Sequence, residues 1–278
     1  MVRIVSDTST LYSTTQARDA GFAVSPLSVT IAGKTYREFD EISSQEFVDI
    51  INQGHMPTSS QPAIGEVTAL YEEFQAEQIL NIAMADGLSG TYKSAVAAAA
   101  LCENADSITV LNTRTLCGPH RYMVQRAVEM ARDGCSLEQI TTWLEMKMDS
   151  AKSFLMPDDF DYLRRGGRLS PLVSHVGKMA NLVPVMTQTD DGCRLTVASI
   201  RRGFSHAIKY VADHLKKNEI GAGWRVYVAH ATTQERVDQA LKILKTAVPD
   251  ANYEVVPISP AFITQGDPGC LAVQYVKE

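Results

Sequence analysis

Apolar residues in this chain fall in short runs that alternate with longer stretches of helical period, and that alternation predicts an architecture. Val2 to Val5 is an apolar run opening into Ser6-Asp7-Thr8, the pattern of a buried strand whose carboxyl end becomes a polar loop. A second strand is expected near Phe22 to Ile31. Ser43 or Ser44 then caps a helix running towards Asn52, and Gly54 stops it. Ile64 to Glu77 has helical spacing, Ile79 to Ala85 reads as a strand, Thr91 to Leu101 as an alanine-rich helix, and Ser107 to Leu111 as a strand again. Such alternation predicts parallel strands joined by right-handed helical crossovers, with the loops at the strands' carboxyl ends on one rim. Ser6-Asp7 and Asp86 to Ser89 are expected to meet there.

Helices follow over Arg121 to Arg132 and Leu137 to Asp149, with Gly134 as a stop and Ser136 as a start. From Ser153 the order changes to a strand, a helix over Phe160 to Arg165, Gly166-Gly167, another helix, and a hairpin. That hairpin joins Leu182–Gln188 to Arg194–Ile200 through Asp190-Asp191-Gly192. Phe204 to Lys217 (helix), Trp224 to His230 (strand), Glu235 to Ala247 (helix) and Tyr253 to Ile258 (strand) resume the alternation, and Pro268 is expected to start a last short helix. The fold class is therefore α/β with two domains: residues 1–155, a mainly parallel sheet with flanking helices, and residues 156–278, a mixed α/β unit, with chain exchange between them allowed. A length of 278 residues suits two units. With no flexible linker the units should pack closely, and a crevice between packed domains is a favoured ligand site.

Composition narrows the function. Hydrophobic residues make up 45% and charged residues 21%, enough apolar material for a core and an internal cavity. A net charge of −6, with no concentrated Lys/Arg face, excludes nucleic acid as a partner on electrostatic grounds. The amino terminus turns polar after five residues, unlike a signal peptide, and charged or amide side chains interrupt every apolar run before a membrane span is reached, so a cytoplasmic protein is expected. The five cysteines form no C-x-x-C pair and are read as free thiols. The six histidines give no H-E-x-x-H spacing, His230 at a strand end being the most interesting of them, so no metal is expected. Gly166-Gly167 is not G-x-G-x-x-G and no G-x-x-x-x-G-K-[ST] occurs, which leaves no nucleotide cofactor in view.

Three segments carry candidate chemistry. Met56 to Pro62 sets Thr58, Ser59, Ser60 and Gln61 between two prolines, a rigid polar finger that serves either as an ordinary connection with capping hydroxyls or as a ligand contact. Asp86 to Thr91 lies between a strand and a helix, where glycines permit close backbone approach and helix amides with the hydroxyls of Ser89 and Thr91 receive a carboxylate or phosphate; capping is the competing role of Ser89. G-x-S-G-T is not the G-x-S-x-G nucleophile elbow. Tyr162 to Ser170 presents Arg168 from a diglycine turn, for packing and pairing or for a ligand.

These segments, in this order, resemble the DegV family, which includes the fatty-acid-binding subunit of bacterial fatty acid kinase. Ser6-Asp7-Thr8 is similar to the family's opening strand and Ser-Asp-Ser/Thr. Ser59-Ser60-Gln61-Pro62 resembles its Thr-Ser-Gln-Pro loop, and Leu88 to Tyr92 keeps Leu-Ser-Gly-Thr-Tyr unchanged. Tyr162 through Ser170 resembles Tyr-Leu-x-x-Gly-Gly-Arg-Ile-Ser, and Pro184, Asp191-Gly192 and Arg202 follow the family's later Pro, Asp-Gly and Arg. The chain departs in reading Ser59 for the usual Thr, Asn112-Thr113 for Asp-Ser, and Gln265-Gly266-Asp267-Pro268-Gly269 for His-Thr-Gly-Pro-Gly.

The resemblance implies a two-domain fold with a long-chain fatty acid in an interdomain tunnel, no cofactor, and a ligand site made of Asp7, Ser59, Ser89, Thr91, Arg168 and Gln265. It also implies a kinase's ATP-binding subunit as partner and transient membrane contact without a span. Gln265 donates a hydrogen bond but cannot become cationic, and Asp267 beside it adds repulsion, so carboxylate binding should be weaker or the head group different. Two rival readings stay open: a phosphotransferase- or hydrolase-like enzyme using Ser89, with Asp7 and Arg168 orienting a small anionic substrate, and a degenerate paralogue with a filled crevice and no ligand.

Overall fold

The computed structural model describes residues 2–171, 181–231 and 233–278, and the chain divides into two compact units. Unit 1 comprises Met1–Asp149 with Ser259–Ala261, and unit 2 comprises Ser150–Ile258 with Phe262–Glu278.

Unit 1 runs β1 (Val2–Asp7), α1 (Thr14–Ala20), β2 (Ala23–Ser25), β3 (Ser28–Ile31), β4 (Lys34–Arg37), α2 (Ser44–Asn52), β5 (Thr58–Ser60), α3 (Ile64–Glu72), β6 (Gln78–Ala83), α4 (Thr91–Ala99), β7 (Ile108–Asn112), α5 (Cys117–Arg132) and α6 (Leu137–Met148). A parallel sheet of order β2-β1-β6-β7 is its centre, in register through Val5 opposite Ala23 and Asn81, and Ala83 opposite Asn112. Parallel strands are covered on both faces, which is why β1 and β6 read as near-continuous apolar runs. Val5 and Ile79 pack against Val67, Leu70 and Tyr71 of α3 and Ala98 of α4. Ser13, Ser43 and Ser136 each form a capping box with the Gln or Glu three residues on, fixing where α1, α2 and α6 begin.

Two expectations are corrected here. The strand expected over Phe22 to Ile31 is two strands, because Pro26 cannot donate to a ladder; β2 joins the parallel sheet while β3 joins a separate antiparallel sheet of order β4-β3-β5. The polar finger Met56 to Pro62 contains β5, in which Ser59 pairs with Val29.

Unit 2 runs β8 (Lys152–Met156), α7 (Phe160–Gly166), β9 (Leu182–Gln188), β10 (Leu195–Arg202), α8 (Phe204–Lys217), β11 (Trp224–His230), α9 (Gln234–Ala247), β12 (Asn252–Pro257), α10 (Pro260–Gly266), whose first residues belong to unit 1, and β13 (Leu271–Lys277). Its sheet has the order β10-β9-β8-β13-β11-β12. Only β11 and β12 pair in parallel, the other neighbours being antiparallel. Ala207, Val211 and Leu215 of α8 and Val237, Ala240 and Leu244 of α9 pack with Phe154, Val226, Val228 and Val273 from the strands; each buried Val or Leu among them contributes ~1.5–3 kcal/mol of transfer free energy. The helix expected to start at Pro268 is absent: α10 ends at Gly266, Asp267 takes a positive φ of 80°, and the chain enters β13. The helix expected after Gly166-Gly167 falls on residues 172–180, outside the described residues.

A buried carboxyl ties unit 1 together. Glu38 follows β4 with no exposure. It accepts hydrogen bonds from the Thr8 hydroxyl (2.5 Å) and the Ala261 amide (2.9 Å). Burial pushes its pKa up to about 7 against these bonds, which favour the anion. Asp267 in unit 2 is likewise pushed up by burial to about 7. An acid whose folded pKa lies above its unfolded value binds protons more tightly when folded, so stability falls as pH rises from about 4.5 to about 7. We expect urea unfolding to show lower stability at pH 8 than at pH 5, and Glu38→Gln to remove about 3 kcal/mol of that difference, from ~1.4 kcal/mol per pKa unit. An unchanged slope in the variant would refute the assignment.

Candidate functional site

The carboxyl ends of β1, β6 and β7 meet in a layer of buried polar groups. Asp7, 1% exposed, accepts from the Ser9 amide through Oδ1 (2.9 Å) and from the Met84 amide through Oδ2 (3.0 Å). These amides lie just past β1 and β6, where no ladder partner remains, and a buried amide without an acceptor is costly. His120, near the start of α5, is fully buried: its Nε2 lies 3.0 Å from the Ile82 carbonyl and 3.2 Å from Ser6 Oγ, and its Nδ1 lies 2.6 Å from Ser9 Oγ. With Nε2–H donating to the carbonyl, Nδ1 accepts from the Ser9 hydroxyl, and burial lowers the imidazole pKa, favouring the neutral ring.

The turn after β6 carries the candidate hydroxyls. Ser89 Oγ lies 2.7 Å from Thr91 Oγ1 and accepts from the Thr91 amide (3.3 Å). The N-cap residue of α4 is Gly90, which has no side chain to cap with, and Ser89 Oγ takes up the first helix amide instead. Thr91 is buried and Ser89 half-buried. The polar finger is tied to this turn by Gln61, whose Nε2 donates to Ser94 Oγ on α4 (2.5 Å). Gly90 makes room for that tie: a β-carbon there would collide with Gln61 Oε1 and stand 3.2 Å from Nε2. Ser59 is half-buried at the centre of β5.

In unit 2, α7 ends in a left-handed Gly167 (φ 69°). Arg168 donates back to the Gly166 carbonyl, and burial, then the like charge of Arg194, lowers its pKa from the ordinary value. The Gln265 amide lies over Gly166, where a β-carbon would collide with Oε1. Asp267, expected to repel an anion beside Gln265, is instead turned to the amides of Asp158 (2.7 Å), Asp159 (2.8 Å) and Gly269 (2.5 Å).

Of the residues singled out in the sequence, Ser89 and Thr91 touch each other and Ser59 lies next to a residue on the strand that runs into Gln61; Arg168 and Gln265 meet at Gly166. Each carboxylate oxygen of Asp7 accepts from a backbone amide. Glu38, His120 and Gln61 were not singled out as site residues. Gln61 carried a signal, an amide between two prolines in a hydroxyl-rich finger; Glu38 and His120 carried none, since only tertiary packing buries them. Among the described residues no three His, Cys, Asp or Glu side chains are grouped to hold a metal ion, and no helix is long and apolar enough to cross a membrane. A cavity of about 380 Å³ in unit 1 is walled partly by the Arg18–Glu73 and Arg37–Glu66 ion pairs and is not lined by Asp7, Ser59, Ser89 or Thr91.

A parallel sheet flanked by helices, with hydroxyls on the loops at its carboxyl ends, defines an α/β protein. The chain belongs to the DegV family: a family model described as "Uncharacterised protein, DegV family" matches residues 1–278. It is 29% identical over 281 residues to a DegV domain-containing protein of Staphylococcus aureus (strain N315), covering 99% of this chain and 98% of the relative. Its fold is similar to that of DegV, a fatty acid binding protein from Bacillus subtilis (TM-score 0.88, 25% identity, 100% of this chain and 99% of that one). It is equally similar to a DegV family protein from Thermus thermophilus whose structure is described by its fatty acid binding (TM-score 0.89, 25% identity, 100% and 99%).

The close approach at Gly90 gives a two-sided test. Gly90→Ala displaces Gln61 and should lower stability by about 1–2 kcal/mol in chemical denaturation. Gly65→Ala, in α3 with nothing within 4 Å of the added carbon, should raise it by up to about 1 kcal/mol through helix propensity. Equal effects would contradict the packing described.

Proposed function

We propose that this chain is a fatty-acid carrier: it binds one long-chain fatty acid and shields it from water. Ser89 and Thr91 are the principal donors to the carboxyl group, Ser59 completes the ligand site in unit 1, and Asp7 fixes the loops around it. The observation that carries this reading is the hydroxyl pair of Ser89 and Thr91, 2.7 Å apart at the start of α4, where helix amides favour an anion. Support also comes from full-length relatives at 25% identity that are described as fatty-acid binding. Burying about a dozen methylenes at ~0.8 kcal/mol each yields roughly 10 kcal/mol before ordering losses, so the tail supplies affinity and the hydroxyls select the head.

In this reading the chain is not itself an enzyme. Among the described residues the hydrogen-bond partners of Ser89 Oγ are the Thr91 hydroxyl and amide, neither of them a base that could activate a nucleophile. The carboxyl is presented to a separate ATP-binding kinase subunit, which transfers the γ-phosphoryl of ATP to a carboxylate oxygen and releases ADP.

Protein purified from bacteria, denatured and examined by mass spectrometry, should release one equivalent of fatty acid. Ser89→Ala should weaken oleate binding about tenfold, in line with ~1.4 kcal/mol for a hydrogen bond to a charged group, while leaving the fold intact. Release of no lipid together with no uptake of added oleate or palmitate would sink the reading. A Ser89→Ala protein that keeps its ligand but loses turnover of an ester or phosphate would replace it with the enzymatic one.

A further inference from the structure

The cavity of about 380 Å³ in unit 1 is lined by Val24 and Ser25 of β2, the edge strand of the parallel sheet, and by residues of α1 and α3. Its size lies within the ~300–1,000 Å³ typical of small-molecule sites. Val24 and Leu70, both buried, give it an apolar side. An edge strand also presents backbone groups with which a further extended chain can pair.

Charge in this cavity is divided between two ends. Glu66 and Glu73 lie seven residues apart on α3 and its helical continuation, on one side of the helix and ~10.5 Å apart along its axis. Glu73 faces Arg18 at 3.6 Å and Glu66 faces Arg37 at 3.7 Å. Both separations exceed the ~2.7–3.2 Å of an N–H···O hydrogen bond, whereas Arg3 and Glu77 in the same unit close to 2.8 Å. Exposed pairs of this kind contribute little to the fold, so a ligand opens them at little cost. The ends differ in charge. Glu41 accepts from the Arg37 amide (2.7 Å) and from Arg37 Nη2 (3.4 Å), and Asp40 lies in the same turn. With Lys34 acting on Glu41, three acids face two cations around Glu66, while Arg18 faces Glu73 alone at the other end.

We propose that this cavity binds a short zwitterionic peptide, its ammonium at the Glu66 end and its carboxylate on the Arg18 guanidinium, whose planar fork suits that group. Three extended residues at ~3.3–3.6 Å each span the separation of the two ends. A free amino acid, with both charges on one α-carbon, is too short to reach them together. The peptide backbone runs beside β2, and an apolar side chain rests on Val24 and Leu70. This site is separate from Ser59, Ser89 and Thr91, so it stands or falls independently of the carrier reading.

The test is calorimetric titration of wild type, Glu66→Gln and Arg18→Gln with the tripeptide Ala-Val-Ala, its N-acetyl form, its C-terminal amide and free valine. Both side chains are largely exposed, so the variants should fold, which circular dichroism checks. Wild type should bind the free tripeptide, and acetylation or amidation should each weaken binding about tenfold, as should replacing the peptide by valine. In Glu66→Gln the penalty for acetylation should all but vanish while the penalty for amidation persists, and Arg18→Gln should show the reverse. No binding of the tripeptide to wild type at millimolar concentration overturns the proposal. So do capped peptides or valine that bind as well as the free tripeptide, and so do capping penalties that both variants leave unchanged.

Discussion

The need to satisfy buried backbone amides where parallel strands end governs unit 1. β1 and β6 run out of ladder partners just as the chain turns, and Asp7 closes the gap by accepting from the amides of Ser9 and Met84. An unmet buried amide costs ~1–3 kcal/mol, so this carboxylate is committed to the fold before any ligand arrives. His120 and Glu38 extend the same arrangement, one joining the strand ends to α5 and the other joining Thr8 to the Ala261 amide.

What that layer leaves over defines the chemistry. Asp7 and His120 are engaged by internal bonds, and the hydroxyls of Ser89 and Thr91 stand with the first amides of α4 on the same rim. Such groups bind and orient an oxyanion but do not activate a nucleophile. In unit 2 the same logic applies to Asp267, whose carboxylate is absorbed by three amides.

Much of the architecture was legible because it rests on local pattern. The apolar runs of β1 and β6, the serine starts of α2 and α6 and the Asp-Gly hairpin are short-range signals, and each produced the expected element. Errors arose where one residue overrode a pattern. Pro26 split one expected strand into two that join different sheets, and Asp267 with its positive φ ended α10 and sent Leu271–Lys277 into a strand. β5 was hidden because Thr-Ser-Ser has no apolar alternation, and only its pairing with β3 makes it a strand.

The sequence by itself determined the α/β class and the order of the motifs, because hydrophobic period and turn chemistry act over a few residues. It also determined which hydroxyls and arginines are available, since that is a matter of composition at fixed positions. Only the tertiary structure decided which of them are spoken for. Asp7 and Ser89 look alike as polar residues after strands, yet one is spent on two amides and the other retains a hydroxyl beside Thr91. The burial of Glu38 and His120 and the seating of Gln61 against Gly90 join residues 29 to 223 positions apart. Hydrogen bonds and charge act through space, and no spacing along the chain encodes those distances.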